Sequence, residues 1–215
     1  MKAVVSIVPC AGYGREAVRG AVAEAARAAG GLDVAGKTVL LKPNMLCTAE
    51  IDGAVTTHPE ILRAAIRLVR SLGAARVLVG DSPAFQSGDA VGATCGLKPA
   101  ALDEGAEWVN FSETVEVGVP DGQLVKRFAI ARVVAEVDAV ISVCRLKNHS
   151  FMYFTGAVKN LFGAISGLQK SAFHMRFPGK PEFGTMLADL VLAVKPRYAI
   201  MDAIEIGRAS CRERV

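Results

Sequence analysis

The chain repeatedly alternates short apolar runs with longer segments whose apolar residues recur at helical spacing. The clearest unit is Lys37–Leu41 (KTVLL), then a helical stretch from Thr57 through Leu72, then Arg76–Gly80 (RVLVG). Runs this short and this apolar read as strands covered on both faces. A strand–helix–strand order needs a crossover connection, which favours parallel pairing. The alternation therefore predicts an α/β fold: an open, mostly parallel sheet with flanking helices.

Other segments extend the pattern. Ala3–Cys10 reads as a first strand and its exit, and Arg15–Ala29 as a helix stopped by Gly30-Gly31. Pro59 suits the first turn of the next helix, with Thr57 or His58 at its cap. Glu107–Val119 and Leu124–Ala131 flank the turn signal Pro120-Asp121-Gly122, which predicts a small antiparallel hairpin inserted in the frame. Val137–Val143 returns to a buried strand. Thr155–Phe162 and Phe183–Val194 are helix candidates, and Tyr198–Ile204 is a last strand.

Composition narrows the class. The 215 residues are 52% hydrophobic and 21% charged, which excludes disorder as the main state. No apolar run is long enough to span a membrane, and the opening residues lack the features of a signal peptide. A cytoplasmic protein with no membrane partner is the expectation. A net charge of +4 is too mild to argue for nucleic acid. The five cysteines are an odd number with no Cys-x-x-Cys spacing, so they form neither a disulfide framework nor a local metal motif.

The informative residues follow the apolar runs. Lys42-Pro43-Asn44 follows KTVLL, Asp81-Ser82-Pro83 follows RVLVG, and Arg145-Leu146-Lys147-Asn148-His149-Ser150 follows VDAVISV and Cys144. Asp202 follows the last run, and Lys159-Asn160, Lys170, His174 and Arg176 lie further along the chain. In open parallel sheets the carboxyl ends of strands share one edge, where ligands bind. Lys42, Arg145, Lys147, Lys159, Lys170 and Arg176 form a cation count that calls for an anionic partner, a phosphate or a carboxylate. Lys42, Lys147 and Lys159 would supply charge, while Asn44, Asn160, Ser82 and Ser150 would supply hydrogen bonds. His149 or His174 would move a proton, and Asp81 or Asp202 would hold a His, a Lys or a metal. Each has an ordinary alternative as a cap, a turn former or a solvated strand end. Recurrence at strand ends carries the argument.

Two other signals are weaker. Gly12-Tyr13-Gly14-Arg15-Glu16-Ala17 fits the loose dinucleotide pattern G-x-G-x-x-A, but no acidic residue ends the second strand, where Lys42-Pro43-Asn44 stands instead. Cys10, Cys47 and Cys144 sit at strand ends and offer a soft-metal or iron–sulfur alternative.

In order along the chain, VLLKPNM, TTHPE, VLVGDSP, RLKNHS, FTGAVKNLFGAISGLQKSAFHMRF and the strand ending in Met201-Asp202-Ala203 resemble the domain-of-unknown-function family 362. The resemblance covers about Lys37 to Ile204. It implies that KPN, GDSP, KNHS and KNLFG are core motifs of the site. It also implies an association with ferredoxin-like modules carrying two 4Fe-4S clusters, so a ferredoxin-type partner and a cluster in a missing downstream module are expected. Asn148 stands where the family's element has Thr. The closing segment Glu205–Val215 (EIGRASCRERV) resembles the translation of a sequencing adapter joined in frame. The expectation is one incomplete, C-terminally truncated α/β domain over 1–204 and a non-native tail over 205–215. The functional expectation is an enzyme domain that binds an anionic small molecule at the strand ends. The alternative is an iron–sulfur-associated redox protein without substrate chemistry of its own.

Overall fold

A computed structural model describes residues 3–83, 85–167 and 169–208. Strands β1 (Thr38–Pro43), β2 (Arg76–Val79), β3 (Glu107–Trp108), β6 (Ala139–His149), β7 (Tyr153–Thr155) and β8 (Tyr198–Arg208) form one sheet. Strands β4 (Thr114–Gly118) and β5 (Arg127–Ala131) form a separate antiparallel pair, the expected hairpin. The helices are α1 (Arg15–Ala28), α2 (Pro59–Ser71), α3 (Gly88–Thr94), α4 (Leu97–Asp103), α5 (Arg132–Glu136), α6 (Ala157–Asn160), α7 (Gln169–Arg176) and α8 (Lys180–Val194).

β3, β2, β1, β6 and β8 pair in that order, all in parallel. β7 pairs antiparallel with the end of β6. Lys147 has Thr155 of β7 and Gly207 of β8 as Cα partners, so those two strands flank opposite edges of β6. β7 thus continues the line of β1.

The strands' two-residue period divides the core. Val39, Leu41, Val77, Val79, Ile141 and Val143 pack on one face against α1, α2 and α4. Leu40, Leu78 and Val140 pack on the other face with Phe128, Ile130, Phe183 and Leu190 from the hairpin and α8. Both faces are covered, which is why the strands read as continuous apolar runs.

Several boundaries differ from the sequence expectation. Ala3–Cys10 is not a strand: it lies outside every ladder, and Ile7 is 92% exposed. Its apolar content is high, but no described strand edge pairs with it. Without that strand, the Gly12–Ala17 pattern lacks the strand-to-helix setting of a dinucleotide site, and Gly14 simply precedes α1. The run from Glu107 splits, with Glu107–Trp108 joining the main sheet and Thr114–Gly118 the hairpin. Thr155–Phe162 is divided between the end of β7, the single turn α6 and a 3₁₀ turn at Leu161–Ala164. β6 runs on to His149. β8 continues to Arg208, four residues past the expected end at Ile204, with a register shift opposite Arg145 and Lys147. The remainder of the expected tail, 209–215, lies outside the described residues.

Candidate functional site

Parallel pairing aligns Leu41 with Val79 and Lys42 with Ser142, so the polar residues after these strands meet at one end of the sheet. Lys42 is fully buried, and its Nζ lies 2.6 Å from Asp81 Oδ1. It also donates to the carbonyl of Asn160 at 2.5 Å. The other Asp81 oxygen accepts from the Met45 backbone N–H at 2.8 Å. Asn160 Nδ2 donates to the Lys42 carbonyl and to Ser142 Oγ, each at 3.0 Å. These bonds knit the exits of β1, β2, β6 and α6 into a floor. Gly163 has to be glycine here, because a Cβ would stand 1.9 Å from Asp81 Oδ1.

Above the floor is a cavity of about 220 Å³. Asn44, Asp81, Ser82, Lys147, His149, Lys159, Asn160, Lys170 and His174 line it, together with Met45, Leu46, Phe85 and Phe162. Lys147 donates to Asn44 Oδ1 and, at 2.8 Å, to the Val55 carbonyl. Lys170 donates to the Ser82 carbonyl, and Ser82 Oγ accepts from the Gly167 N–H at 3.3 Å. The Lys159 ammonium lies 5.8 Å from the Phe162 ring centroid.

The electrostatics follow from crowding cations in a poorly hydrated space. Burial pulls the Lys147 amine down from its ordinary value to about 7, and the nearby Lys159 charge adds to the effect. Burial likewise lowers Lys159 and Lys170 to about 8. His149 falls to about 4 through burial and the charges of Lys159 and Lys147. Its Nδ1 accepts backbone N–H bonds from Phe151 and Met152, each 3.1 Å. The neutral ring therefore carries its proton on Nε2. His174 stacks on Phe183 with centroids 4.5 Å apart, and burial lowers its pKa.

Some expected members lie elsewhere. Ser150 is exposed in the β6–β7 turn and does not line the cavity, because the strand's alternation is spent on Lys147 and His149 before the chain turns. Arg176 is exposed and packs over Phe177. Arg145 and Asp202 form a second cluster beside α1 and α2, with Arg145 Nη1 3.4 Å from Asp202 Oδ2 and Nη2 3.4 Å from Glu205 Oε2. The Tyr13 hydroxyl donates to Asp202 Oδ1 at 3.0 Å, and its ring stacks on His58 at 3.7 Å. Local sequence pattern assigns Tyr13 only to a turn and His58 only to a cap. Their contact with Asp202 spans 189 and 144 residues respectively, a separation that local pattern does not reveal. His58 also caps α2, its Nδ1 accepting from the Glu60 N–H.

Of the cysteines, Cys10 Sγ donates to the Gly12 carbonyl and buried Cys144 to that of Ile200. Burial pushes the Cys144 thiol up to about 12. Cys47 lies on the half-buried loop after β1. Among the described residues, no group of three or more His, Cys, Asp or Glu side chains is arranged to hold a metal. A larger hollow of about 620 Å³ lies at the opposite end of the strands, around Thr38, Arg76 and Asp138. Its arginines are paired, Arg76 with Glu107 and Arg132 with Glu113 and Glu136.

Fold and site together define a doubly covered α/β domain whose carboxyl edge holds a lysine-lined cavity. The chain belongs to the family described as domain of unknown function (DUF362), whose model matches residues 39–213. It is 32% identical over 179 residues to a thylakoid-associated protein of Synechocystis sp., a match covering 79% of this chain and 52% of that protein. The chain thus spans about half the length of this curated relative. Among solved structures, it resembles the lactate racemase apoprotein of Thermoanaerobacterium thermosaccharolyticum, with a TM-score of 0.59 and 16% identity over 92% of this chain and 51% of that one. A crystal structure of a Thermotoga maritima protein gives a TM-score of 0.56 and 12% identity over 91% of this chain and 52% of that one. At these identities the likeness is one of fold. No described helix is long and apolar enough to cross a membrane.

Proposed function

We propose that this chain is an enzyme domain that binds a small anionic molecule, bearing phosphate or carboxylate, in the cavity at the strand ends. One observation carries the reading. Lys147, Lys159 and Lys170 line the cavity, while Asp81, the carboxylate among its described lining residues, is already engaged by Lys42. Three buried or half-buried amines that share one carboxylate with Lys42 are destabilised, and an anion relieves that repulsion. The fold likeness to a racemase of lactate, a small carboxylate, is compatible with this reading.

The roles differ in part from those expected. Lys147, Lys159 and Lys170 attract the anion, with Lys42 behind them holding the floor. His149 offers a fixed Nε2–H donor, since its Nδ1 is occupied and its protonation is suppressed. Lys147, with its amine near neutrality, is the group suited to exchange a proton.

The reading predicts linked proton uptake. A bound anion raises the lysine pKa values, so binding at pH 8 draws protons from the buffer. Titration calorimetry with inorganic phosphate or acetate, in buffers of different ionisation enthalpy, measures this. Buffer-dependent heat that disappears in the double variant Lys147→Gln/Lys159→Gln is the expected result. No heat and no rise in melting temperature with either anion, or with succinate, glycerol phosphate or adenosine diphosphate, in a folded protein, would end the proposal.

A further inference from the structure

The arrangement of the amines constrains the ligand beyond its sign. An ammonium has three N–H donors. Lys147 directs two of them to Asn44 Oδ1 and the Val55 carbonyl, which leaves one. Lys170 directs one to the Ser82 carbonyl, which leaves two. Lys159 makes no hydrogen bond to the described residues and only faces the Phe162 ring. The tethers come from different segments: Asn44 follows β1, Val55 precedes α2, and Ser82 follows β2. Lys147 and Lys170 are therefore held on separate walls of the one cavity, each with a donor left for a ligand.

Charge points the same way. With Asp81 matched by Lys42, the three lining lysines leave a surplus that one negative charge cannot offset. Volume sets the other limit. About 220 Å³ is less than the ~300–1,000 Å³ typical of drug-sized ligand sites. Met45, Leu46, Phe85 and Phe162 provide apolar surface for a short carbon skeleton between the charged ends.

From these walls, tethers and charges we infer that the ligand is a compact dianion with a short carbon skeleton, bridging Lys147 and Lys170. The inference rests on the anion-binding reading above and narrows it to a substrate class. A phosphate monoester and a short dicarboxylate share the required chemistry. The depressed Lys147 amine accords with it, because a dianion then meets a cavity of nearly matching charge at neutral pH.

Competition calorimetry on the full chain separates the possibilities, with acetate, succinate, glycerol phosphate and adenosine diphosphate as probes. Each additional charge-assisted hydrogen bond is worth ~1.5–3 kcal/mol, or about tenfold and upward in affinity. Succinate or glycerol phosphate should therefore bind at least about tenfold tighter than acetate, and whichever is tighter identifies the carboxylate or phosphate source. Lys170→Gln should cost the dianion about tenfold and acetate much less, with the melting temperature of the free protein unchanged or raised. Acetate binding as tightly as the dianions would overturn this inference and leave the anion site standing. Adenosine diphosphate binding more tightly than glycerol phosphate would overturn the size limit and with it the inference. Failure of all four probes, and of inorganic phosphate, would instead remove the parent reading.

Discussion

Arg145 and Lys147 stand two residues apart on one strand, and both are removed from water, at 0% and 2% exposure. Their surroundings are opposite. Arg145 has Asp202 as its Cα partner on β8, meets the Asp202 and Glu205 carboxylates, and lies 5.5 Å from the Tyr13 ring centroid. Lys147 has Gly207 as its partner on that strand, and its hydrogen bonds go to neutral oxygens. A side chain at Gly207 would collide with the Ala54 carbonyl at 2.2 Å and with Lys147 Cγ at 2.7 Å. The register shift in β8 separates the two environments: before it the strand brings a carboxylate to β6, after it a bare backbone. A compensated buried charge holds structure together. An uncompensated one is tolerated only where something else neutralises it, and that difference picks out the lysine cavity as the site.

Substitution at the two positions should break the comparison most sharply. Arg145→Met leaves the Asp202 carboxylate buried without its cation, and should destabilise the fold by ~3–5 kcal/mol in urea unfolding. A loss below about 1 kcal/mol would mean that Tyr13 and the His58 N–H suffice for Asp202. Lys147→Met removes a buried charge that has no carboxylate partner. It should leave stability unchanged or raise it by about 1 kcal/mol, while weakening anion binding. A destabilisation matching that of Arg145→Met would show that Lys147, too, is structural.

A third test is the pH dependence. Lys147 titrates near 7 in the folded state, and Lys159 and Lys170 near 8, against an ordinary value of 10.5. Between those values the unfolded chain binds more protons than the folded one, so these groups make stability rise with pH. Their contribution is complete above about 10.5 and is lost as pH falls through the folded values. Urea midpoints from pH 7 to 10 should climb in the wild type and climb less in Lys147→Met. Saturating phosphate should flatten the slope further, and equal slopes in all three samples would contradict the assignment.

Much of this is legible in the sequence. The apolar runs at Lys37, Arg76 and Val137 announce buried parallel strands, because strands covered on both faces need no polar alternation, whereas the run at Tyr198 forms an edge strand with Met201 exposed. Lys42, Asp81, Lys147, Lys159, Lys170 and His149 announced themselves by following such runs or by sharing the family's motifs. Ala3–Cys10 misled, because its apolar residues have a strand's composition but no described neighbour to pair with. α3, α4, α5 and α7 went unread, since turns of this length carry little periodicity. The Tyr13–His58–Asp202 contact was invisible for a different reason: its members gain meaning only when α1, α2 and β8 pack together.

The sequence by itself determined the α/β class, the end of the sheet where the polar residues gather, and the excess of positive charge there. Period and composition act locally, and local interactions follow directly from residue order. Only the tertiary structure decided which cations are spoken for. Pairing of a charge depends on which strand lies alongside and in what register. A shift of that register gives Arg145 an aspartate and Lys147 a glycine, although both stand on the same eleven-residue strand.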